Sequence, residues 1–355
     1  MFIPLIPEQT FPAQNLKGKY CLSPFVQIDI DSTGSVGLCG CSIWQPTRIG
    51  NIFENTLEDL LSGETAKKIR ESIINGTYVY CHPDRCGILR SNSLNDYETL
   101  PPAVRWAVED SSRFSLPHHI VLSLDTTCNL SCPSCRHQIH KNDYETKEKQ
   151  QKLSNIVAKN LFSTPTKDRI ELTLDVGGDL FSSPFLLDFL NNIPSKDFPN
   201  LKLDLVSNGL LCPERWHRMG DMQNHVKKIT ISMDAAQAET YEQLRRGGRW
   251  PQILESMEWL KNKKLENGMI FNARMVVQRA NYQEMHSFYK LTKGFNCDSI
   301  QFQRLVNWGT FTSEEFAHLD VCDEQSELYP DVVAHLKSVI DLPDTEFWHG
   351  MPRIS

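Results

Sequence analysis

Three cysteines stand close together in the middle of the chain, where their chemistry and spacing favour a metal centre. They are Cys128, Cys132 and Cys135, in the pattern C-x3-C-x2-C. A structural zinc ion takes four protein ligands, whereas a cubane iron-sulfur cluster held by three thiolates leaves one iron free to bind something else. Three thiolates rather than four therefore indicate a 4Fe-4S cluster with one open iron.

Two other interpretations of this loop stay open. One is a zinc knuckle that takes a fourth ligand, such as His137 or His140, and the other is three unrelated buried cysteines. A run of β-branched and apolar residues, 119–124, directly precedes the loop and predicts a strand. A motif of this kind supports a function only in such a structural context.

The cysteine loop and the strand before it resemble the radical S-adenosylmethionine (radical SAM) superfamily, whose cysteines follow the first strand of a partial (β/α) barrel. The resemblance implies that the open iron chelates the amino and carboxylate groups of S-adenosylmethionine (SAM). One electron would then cleave the sulfonium, and the resulting 5'-deoxyadenosyl radical would take a hydrogen atom from a substrate. Ser134 departs from the family, which often has an aromatic residue at this position.

A second group of cysteines lies nearer the start of the chain. Two β-rich runs, 25–30 and 36–38, flank a turn sequence at 31–35 and predict a hairpin. Cysteines precede its first strand, follow its second strand, and return after two short helical patterns. The members of this group are Cys21, Cys39, Cys41, Cys81 and Cys86.

Residues 18–90 resemble the SPASM/Twitch module, the auxiliary-cluster domain of many radical SAM enzymes. The resemblance depends on the spacing of Cys21, Gly34 and Cys39, on Ile49-Gly50-Asn51, and on a closing cysteine pair. It implies a second, auxiliary 4Fe-4S cluster, and the module commonly follows the barrel rather than preceding it as here. The implied ligands are Cys21, Cys39, Cys81 and Cys86, with Cys41 as the alternative to Cys39. A zinc ribbon stays open as well, because four thiolates suit zinc as well as iron.

The composition is that of an ordinary globular protein, with 355 residues of which 40% are hydrophobic and 23% charged. A net charge of −7 without a long cluster of Lys or Arg argues against nucleic acid as a partner. The sequence shows neither a targeting segment nor an apolar stretch that approaches a membrane span, so we expect a cytoplasmic protein without membrane contact. Eleven cysteines, eight of them in two groups, indicate metal or cluster ligands rather than disulfides.

From residue 119 onward, β-rich runs alternate with helical patterns, as in parallel sheets with right-handed crossovers. The predicted strands are 119–125, 170–176, 201–206, 228–233, 270–277 and 299–302. We therefore predict an α/β fold: a partial (β/α)6 TIM-like barrel preceded by a small, cysteine-rich, SPASM/Twitch-like α+β domain. The predicted domains are 1–110 for the auxiliary domain and linker, 111–310 for the radical SAM barrel and 311–355 for a C-terminal helical tail.

In barrels of this kind the chemistry gathers at the carboxyl ends of the strands. The resemblance implies that a Gly-Gly-Asp element after the second strand holds the methionyl amino group, that an Asn-Gly pair follows the third, and that a Ser-x-Asp element after the fourth binds the ribose. An arginine beyond it would clamp the methionyl carboxylate in a bidentate pair. The cofactor-binding candidates are Gly177, Gly178, Asp179, Asn208, Ser232, Asp234 and Arg246.

Polar residues also follow the sixth strand, and we assign them to the substrate side or to core packing. They are Gln301, Gln303, Arg304, Asn307 and Trp308. Three further cysteines, Cys212, Cys297 and Cys322, stand alone and are expected to be small buried hydrophobic residues.

The predicted function is that of a radical SAM oxidoreductase acting on a ribosomal peptide or protein side chain. A sugar or nucleoside substrate is the alternative, and a zinc or iron-sulfur protein of interaction or electron transfer is the alternative outside enzymes. The predicted partners are an external one-electron donor of the flavodoxin or ferredoxin type and a separate substrate-recognition protein, since the sequence shows no peptide-binding domain of its own.

Overall fold

The computed structural model of the protein describes residues 9–42, 44–110, 116–140, 144–174, 177–348 and 350–352. The internal contacts divide the chain into two compact units. Unit 1 comprises residues 1–126, 143–177 and 192–202, and unit 2 comprises residues 127–142, 178–191 and 203–355. The predicted domain boundaries at 110 and 310 stay predictions.

Unit 1 contains seven strands within its described residues. They are β1 (Lys19–Tyr20), β2 (Gln27–Asp31), β3 (Ser35–Gly37), β4 (Gly50–Asn51), β5 (Asn95–Asp96), β6 (His119–Ser123) and β7 (Ile170–Leu174). The main sheet has the order β7-β6-β2-β3-β4, while β1 and β5 pair separately. Strand β2 runs parallel to β6, and β6 runs parallel to β7. The first strand of the hairpin therefore lies beside the strand that leads to the cysteine loop at 128.

The helices of unit 1 surround a core to which the hairpin region also contributes. They are α1 (Ser23–Val26), α2 (Leu57–Ser62), α3 (Glu64–Ile74), α4 (Gly87–Ser91), α5 (Pro102–Glu109) and α6 (Tyr144–Leu161). Helix α2 begins with a capping box, in which Thr56 and Asp59 each accept from the other's backbone N–H. Phe25, Tyr78 and Val104 pack together in the core, and Cys21 packs against it.

The predicted hairpin is confirmed as strands β2 and β3, which pair antiparallel. Its turn is held by Asp31, whose Oδ1 accepts from the backbone N–H groups of Thr33 at 2.8 Å and Ser35 at 3.2 Å. Gly34 completes the turn with a φ of 81°, in the left-handed region that glycine adopts without strain.

Unit 2 is a parallel α/β structure. Its strands are β8 (Leu201–Ser207, of which residues 201 and 202 belong to unit 1), β9 (Val226–Ser232), β10 (Ile270–Val277), β11 (Ser299–Arg304) and β12 (Thr345–Trp348). They lie in sequence order, and each pair of neighbours is parallel. The predicted α/β fold with parallel strands joined by helices is therefore confirmed.

The helices of unit 2 include several that cross between these strands. They are α7 (Pro184–Asn191), α8 (Cys212–Arg215), α9 (Ala238–Leu244), α10 (Trp250–Asn267), α11 (Met285–Gly294), α12 (Ser313–Leu319) and α13 (Tyr329–Lys337). Helix α8 is a single turn, and it is followed by 3-10 turns over Trp216–His225, which break at Gly220. No helix among the residues described has the length and apolar character needed to cross a membrane.

We predict that Gly34→Ala destabilises unit 1 more than Gly18→Ala does. Both glycines have a φ near 80°, but a Cβ at Gly34 would lie 2.6 Å from the Phe53 ring, whereas a Cβ at Gly18 would meet nothing within 4 Å. The free energy of unfolding should fall by about 2–4 kcal/mol for Gly34→Ala and by about 1 kcal/mol for Gly18→Ala. Urea unfolding followed by circular dichroism measures both, and equal losses would contradict the packing argument.

Candidate functional site

The three cysteines of the 128–135 loop differ in exposure. Cys128 and Cys132 are buried, whereas Cys135 is exposed. The backbone N–H of Leu130 donates to the Sγ of Cys128 at 3.4 Å. Burial raises the pKa of the Cys128 thiol to about 11, and that of Cys132 is also raised by burial although Arg245 opposes the shift. The charge of Cys132 adds to the rise in the pKa of Cys128, and the charge of Cys135 adds to the rise in the pKa of Cys132, so successive thiols of the loop interact electrostatically.

Asp179 lies buried beside this loop, and only 1% of the surface of Asp179 is exposed. Its Oδ2 accepts from the Ser207 hydroxyl and from the Asn208 backbone N–H, both at 2.8 Å, and its Oδ1 accepts from the Phe181 N–H at 3.0 Å. Its own N–H donates to the carbonyl of Thr127 at 2.8 Å. Burial raises the pKa of this carboxyl, and the hydrogen bonds from Asn208 and Ser207 oppose the rise. Both carboxylate oxygens are thus occupied by the end of strand β8 and by the segment after Asp179, and the backbone N–H makes the bond to the residue before the cysteine loop.

Asn208 links Asp179 to the cysteines. Its Nδ2 donates to the Oδ1 of Asn129 at 2.9 Å and approaches the Sγ of Cys128 at 3.7 Å. The same Oδ1 accepts from the Ser182 hydroxyl at 2.6 Å. The cysteine loop and the ends of two strands are therefore joined by one hydrogen-bond network.

Asp234 occupies a strained position after strand β9. Its φ is 65°, a left-handed conformation that costs a residue with a side chain of order 1–3 kcal/mol. The conformation is held by the N–H of Val276, which donates to Oδ1 at 2.8 Å, and by Asn281, which donates to the backbone carbonyl at 2.7 Å. The other oxygen, Oδ2, pairs with the Nη2 of Arg245 at 2.7 Å.

The cysteine loop borders an open pocket of about 150 Å³ within unit 2. Cys132, Ser134 and Cys135 form part of its wall, together with Ser232, Asp234 and Arg245 at the ends of β9 and α9. The remaining wall is mostly apolar, and comprises Val276, Leu305, Val306 and Trp308 with Gln303 among them. Thiols, a paired cation, hydroxyls and apolar surface therefore meet in one cavity.

The structure gives the other predicted site residues different surroundings. The Arg246 guanidinium donates to the Ser131 hydroxyl at 3.1 Å and to the His137 carbonyl at 2.8 Å. Gly177 is exposed and Gly178 half-buried. Among the polar residues after the sixth strand, Gln301 is buried, while Arg304 pairs with Asp320 and Asp323. Asn307 closes its own loop through bonds to Gly309 and Phe311. Cys212, Cys297 and Cys322 are buried, as expected.

Sequence reasoning missed Arg245, Asn129 and Ser182. Arg245 stands next to the predicted Arg246, and Asn129 next to Cys128. Adjacent residues of the same type carry no pattern that tells which one faces a pocket. Ser182 lies 53 residues from its partner Asn129, so no local signal connects them.

The second group of cysteines is brought together in unit 1. Burial raises the pKa of Cys21 to about 11, and the charge of Cys86 adds to the rise. The thiol of Cys39 interacts electrostatically with Cys21, Cys41 and Cys81, and its pKa is raised well above the usual range, mainly by burial. The thiols of this region therefore interact electrostatically with one another.

Tyr78 helps to place Cys21 within this group. Its hydroxyl donates to the Lys19 carbonyl at 2.6 Å and accepts from the Cys21 backbone N–H at 3.1 Å. Tyr78 is fully buried, and its φ of 50° lies in the left-handed region. The backbone of this region is thus held in a strained turn beside the thiols.

Both groups offer the soft thiolate donors that iron-sulfur clusters take, five in unit 1 and three in unit 2. As they stand, the His, Cys, Asp and Glu side chains in the described ranges form no group of three or more that would hold a metal ion. Burial raises the pKa of six of these thiols, so binding a cluster would release protons from them; the six are Cys21, Cys39, Cys81, Cys86, Cys128 and Cys132. The donor types and the neighbouring pocket fit a cluster in each unit and a polar cofactor beside Cys132 and Cys135.

Two family models match the chain. The model of the radical SAM superfamily matches residues 123–292, and the model of SPASM, an iron-sulfur cluster-binding domain, matches residues 21–95. The first match includes Cys128, Cys132 and Cys135, and the second includes all five cysteines of unit 1. The radical SAM domain implies a 4Fe-4S cluster and SAM, and the SPASM domain implies auxiliary iron-sulfur clusters.

Among curated proteins, the chain is similar to GTP 3',8-cyclases from two strains of Clostridium perfringens, SM101 and 13. Each is 27% identical over 162 residues, which cover 45% of this chain and 46% of the relative. The chain thus spans about half the length of these relatives.

Among solved structures, the chain is similar to Streptococcus suis SuiB bound to its precursor peptide SuiA. The TM-score is 0.45 at 12% identity, covering 73% of this chain and 58% of that one. It is also similar to anSMEcpe with bound AdoMet, with a TM-score of 0.40 at 16% identity, covering 63% of this chain and 57% of that one.

We predict that Asp179→Ala lowers the free energy of unfolding of the full chain by about 3 kcal/mol, because the substitution leaves buried N–H and O–H donors without an acceptor. Asp188→Ala is the control. Asp188 has a side chain 69% exposed and pairs with Arg218 at the surface, so its loss should change stability by about 0.5 kcal/mol or less.

Urea unfolding with a matched measurement of SAM binding tests this role of Asp179. Unchanged stability together with lost SAM binding would show that Asp179 acts as a ligand rather than as a brace.

Proposed function

Since the chain carries a radical SAM domain with a SPASM domain ahead of it, we propose that it is an enzyme that cleaves SAM reductively and abstracts a hydrogen atom from a substrate. The three thiolates of Cys128, Cys132 and Cys135 would hold the 4Fe-4S cluster. The observation that carries the proposal is the pocket in unit 2, because Cys132 and Cys135 stand in its wall beside polar groups at two strand ends.

A 4Fe-4S cluster held by these thiolates would supply the electron for the reductive cleavage of SAM, and an external donor of the flavodoxin or ferredoxin type would provide that electron to the cluster. The chain contributes binding and orientation. Ser232 offers a hydroxyl in the pocket wall, and Arg245 offers a cation fixed by Asp234.

The contacts of the described residues bear on the other cofactor assignments. Ser232 and Asp234 stay our proposed ribose contacts because both line the pocket. Asp179 and Arg246 already bond to the protein, which favours positioning roles for them. Asn208 reaches Cys128 and would orient the loop. Gly177 and Gly178 stay predicted contacts of the methionyl amino group.

We propose a peptide or protein side chain as the substrate. Trp308, with 40% of its surface exposed, stands with Leu305 and Val306 in the pocket wall. Such a surface suits an apolar or aromatic side chain more than a phosphate. Arg245 is the one basic side chain among the described residues of this wall, and it is already paired with Asp234. A separate substrate-recognition protein stays a prediction.

A nucleoside substrate is the second candidate, and the observation that favours it is the partial similarity to GTP 3',8-cyclases. That similarity covers less than half of the chain. Outside enzymes, a zinc protein or an electron-transfer protein with clusters but no SAM chemistry is the alternative. Both would fail to form 5'-deoxyadenosine.

For unit 1 we propose an auxiliary 4Fe-4S cluster held by Cys21, Cys39, Cys81 and Cys86. The charges of the first three interact directly, and Cys86 interacts with Cys21 and Cys81. Cys41 lies beside Cys39 and is the alternative ligand. Zinc in place of the cluster is the alternative metal.

We predict that the anaerobically reconstituted protein forms 5'-deoxyadenosine from SAM and a strong reductant, and that Cys135→Ala abolishes the product because the cluster loses a ligand. Chromatography of the quenched reaction measures it. Cys297→Ala, which removes a buried cysteine that lies outside the pocket wall, should leave the activity of the wild type.

No nucleoside from a fully iron-loaded wild type, with or without added substrates, would contradict the proposal. Stimulation by synthetic peptides supports the first substrate class, whereas stimulation by GTP alone would replace it with the nucleoside class.

We also predict that the wild type holds about eight iron and eight sulfide per chain, the sum of two four-iron clusters, and that Cys81→Ala holds about four of each. Cys39→Ala should behave like Cys81→Ala, whereas Cys41→Ala should keep the content of the wild type. Cys322→Ala is the control for loss of a buried thiol elsewhere. Zinc in the isolated protein with four iron per chain would replace the auxiliary cluster with a zinc site.

A further inference from the structure

Two consecutive arginines at the end of helix α9 both reach the cysteine loop, and their contacts differ. Arg246 is the outer one. Its Nε donates to the Ser131 hydroxyl at 3.1 Å, and its Nη2 donates to the carbonyls of His137 at 2.8 Å and Arg136 at 3.4 Å. Its backbone carbonyl accepts from the Ser131 N–H at 3.0 Å. Arg246 therefore holds the loop backbone on both sides of Cys132 and Cys135.

Arg245 is the inner one, and only 12% of its side chain is exposed. Its Nη2 pairs with Asp234 at 2.7 Å, while its Nη1 approaches the Sγ of Cys132 at 3.8 Å. The guanidinium thus connects the strained turn after β9 to one thiol. The carboxylate of Asp234 holds the Arg245 guanidinium in one conformation, in which the guanidinium faces the sulfur of Cys132.

Gly247 follows the two arginines with a φ of 99°, in the left-handed region that glycine adopts without strain. A Cβ there would make only ordinary contacts, at 3.5 Å from the side chain of Leu130 and 3.6 Å from the carbonyl of Asn129. The chain therefore turns directly after the arginine pair while it lies against the loop.

We propose that Arg245 and Arg246 form a clasp on the cysteine loop, in which Arg246 retains the cluster by fixing the loop backbone and Arg245 raises the cluster's reduction potential through its charge at Cys132. This inference rests on the proposed function, because it requires a cluster on the loop. Both are positioning residues, which act through the cysteines. A positive charge and a hydrogen bond near a cluster sulfur favour the reduced, more negative state of the cluster.

The test compares Arg246→Gln, Arg246→Lys and Arg245→Gln with the wild type and with Arg249→Gln. Arg249 is a matched control because its side chain is 76% exposed. It forms a surface ion pair with Glu242 at 3.8 Å. Each full-length, reconstituted protein is examined for the rate of iron release to a chelator and for the potential of the cluster whose electron paramagnetic resonance signal changes when SAM is added. That signal separates the loop cluster from the auxiliary one.

We expect Arg246→Gln to lose iron about tenfold faster than the wild type, with an unchanged potential. Arg246→Lys keeps the charge but not the planar guanidinium, so its rate of iron release should lie between those of Arg246→Gln and the wild type. Arg245→Gln should shift the potential to more negative values, while Arg249→Gln should match the wild type.

The outcomes that overturn the clasp are distinct from those that overturn the proposed function. A wild type with a SAM-responsive cluster, together with variants that all match it in iron release and potential, would overturn the clasp alone. A wild type without any SAM-responsive cluster would overturn the proposed function and the clasp with it.

Discussion

A single buried carboxylate sets the geometry of the site in unit 2. Asp179 accepts hydrogen bonds from the end of strand β8, and its own N–H holds the carbonyl of Thr127 directly before the first cysteine of the loop. A charge in an apolar interior is stable only where such donors surround it. Ser207 and the backbone of Asn208 are therefore fixed in place together with the carboxylate. The side chain of Asn208 in turn contacts the Sγ of Cys128. The cysteine loop is thus tied to a group that itself lies away from the pocket wall.

Features that depend on local sequence were predicted well. The hairpin followed from a turn sequence between two β-rich runs, and the parallel strands followed from their alternation with helical patterns. The fold class rested on such short-range periodicity. The three cysteines at 128–135 lie on one loop because so few residues separate them.

The partner that a side chain contacts in the folded protein could not be predicted from local sequence. Arg245 and Arg246 are identical in type, and only the packed loop decides that the inner one meets Asp234 while the outer one meets backbone carbonyls. The hydrogen bonds of Asp179 to Ser207 and Asn208 join residues 28 and 29 positions apart, which no local pattern could indicate. The C-terminal tail was expected to be helical, and besides helices α12 and α13 it contains strand β12, whose four residues pair with β11 and show little pattern by themselves.

The pairing of β2 with β6 has a consequence for self-association. An open edge of a sheet presents unpaired N–H and C=O groups that can recruit a strand from another molecule. In unit 1, β2 covers that side of β6, β3 covers β2, and the series ends at β4, which is only two residues long. The hairpin therefore also shortens the exposed sheet edge on that side to two residues, too few to template aggregation.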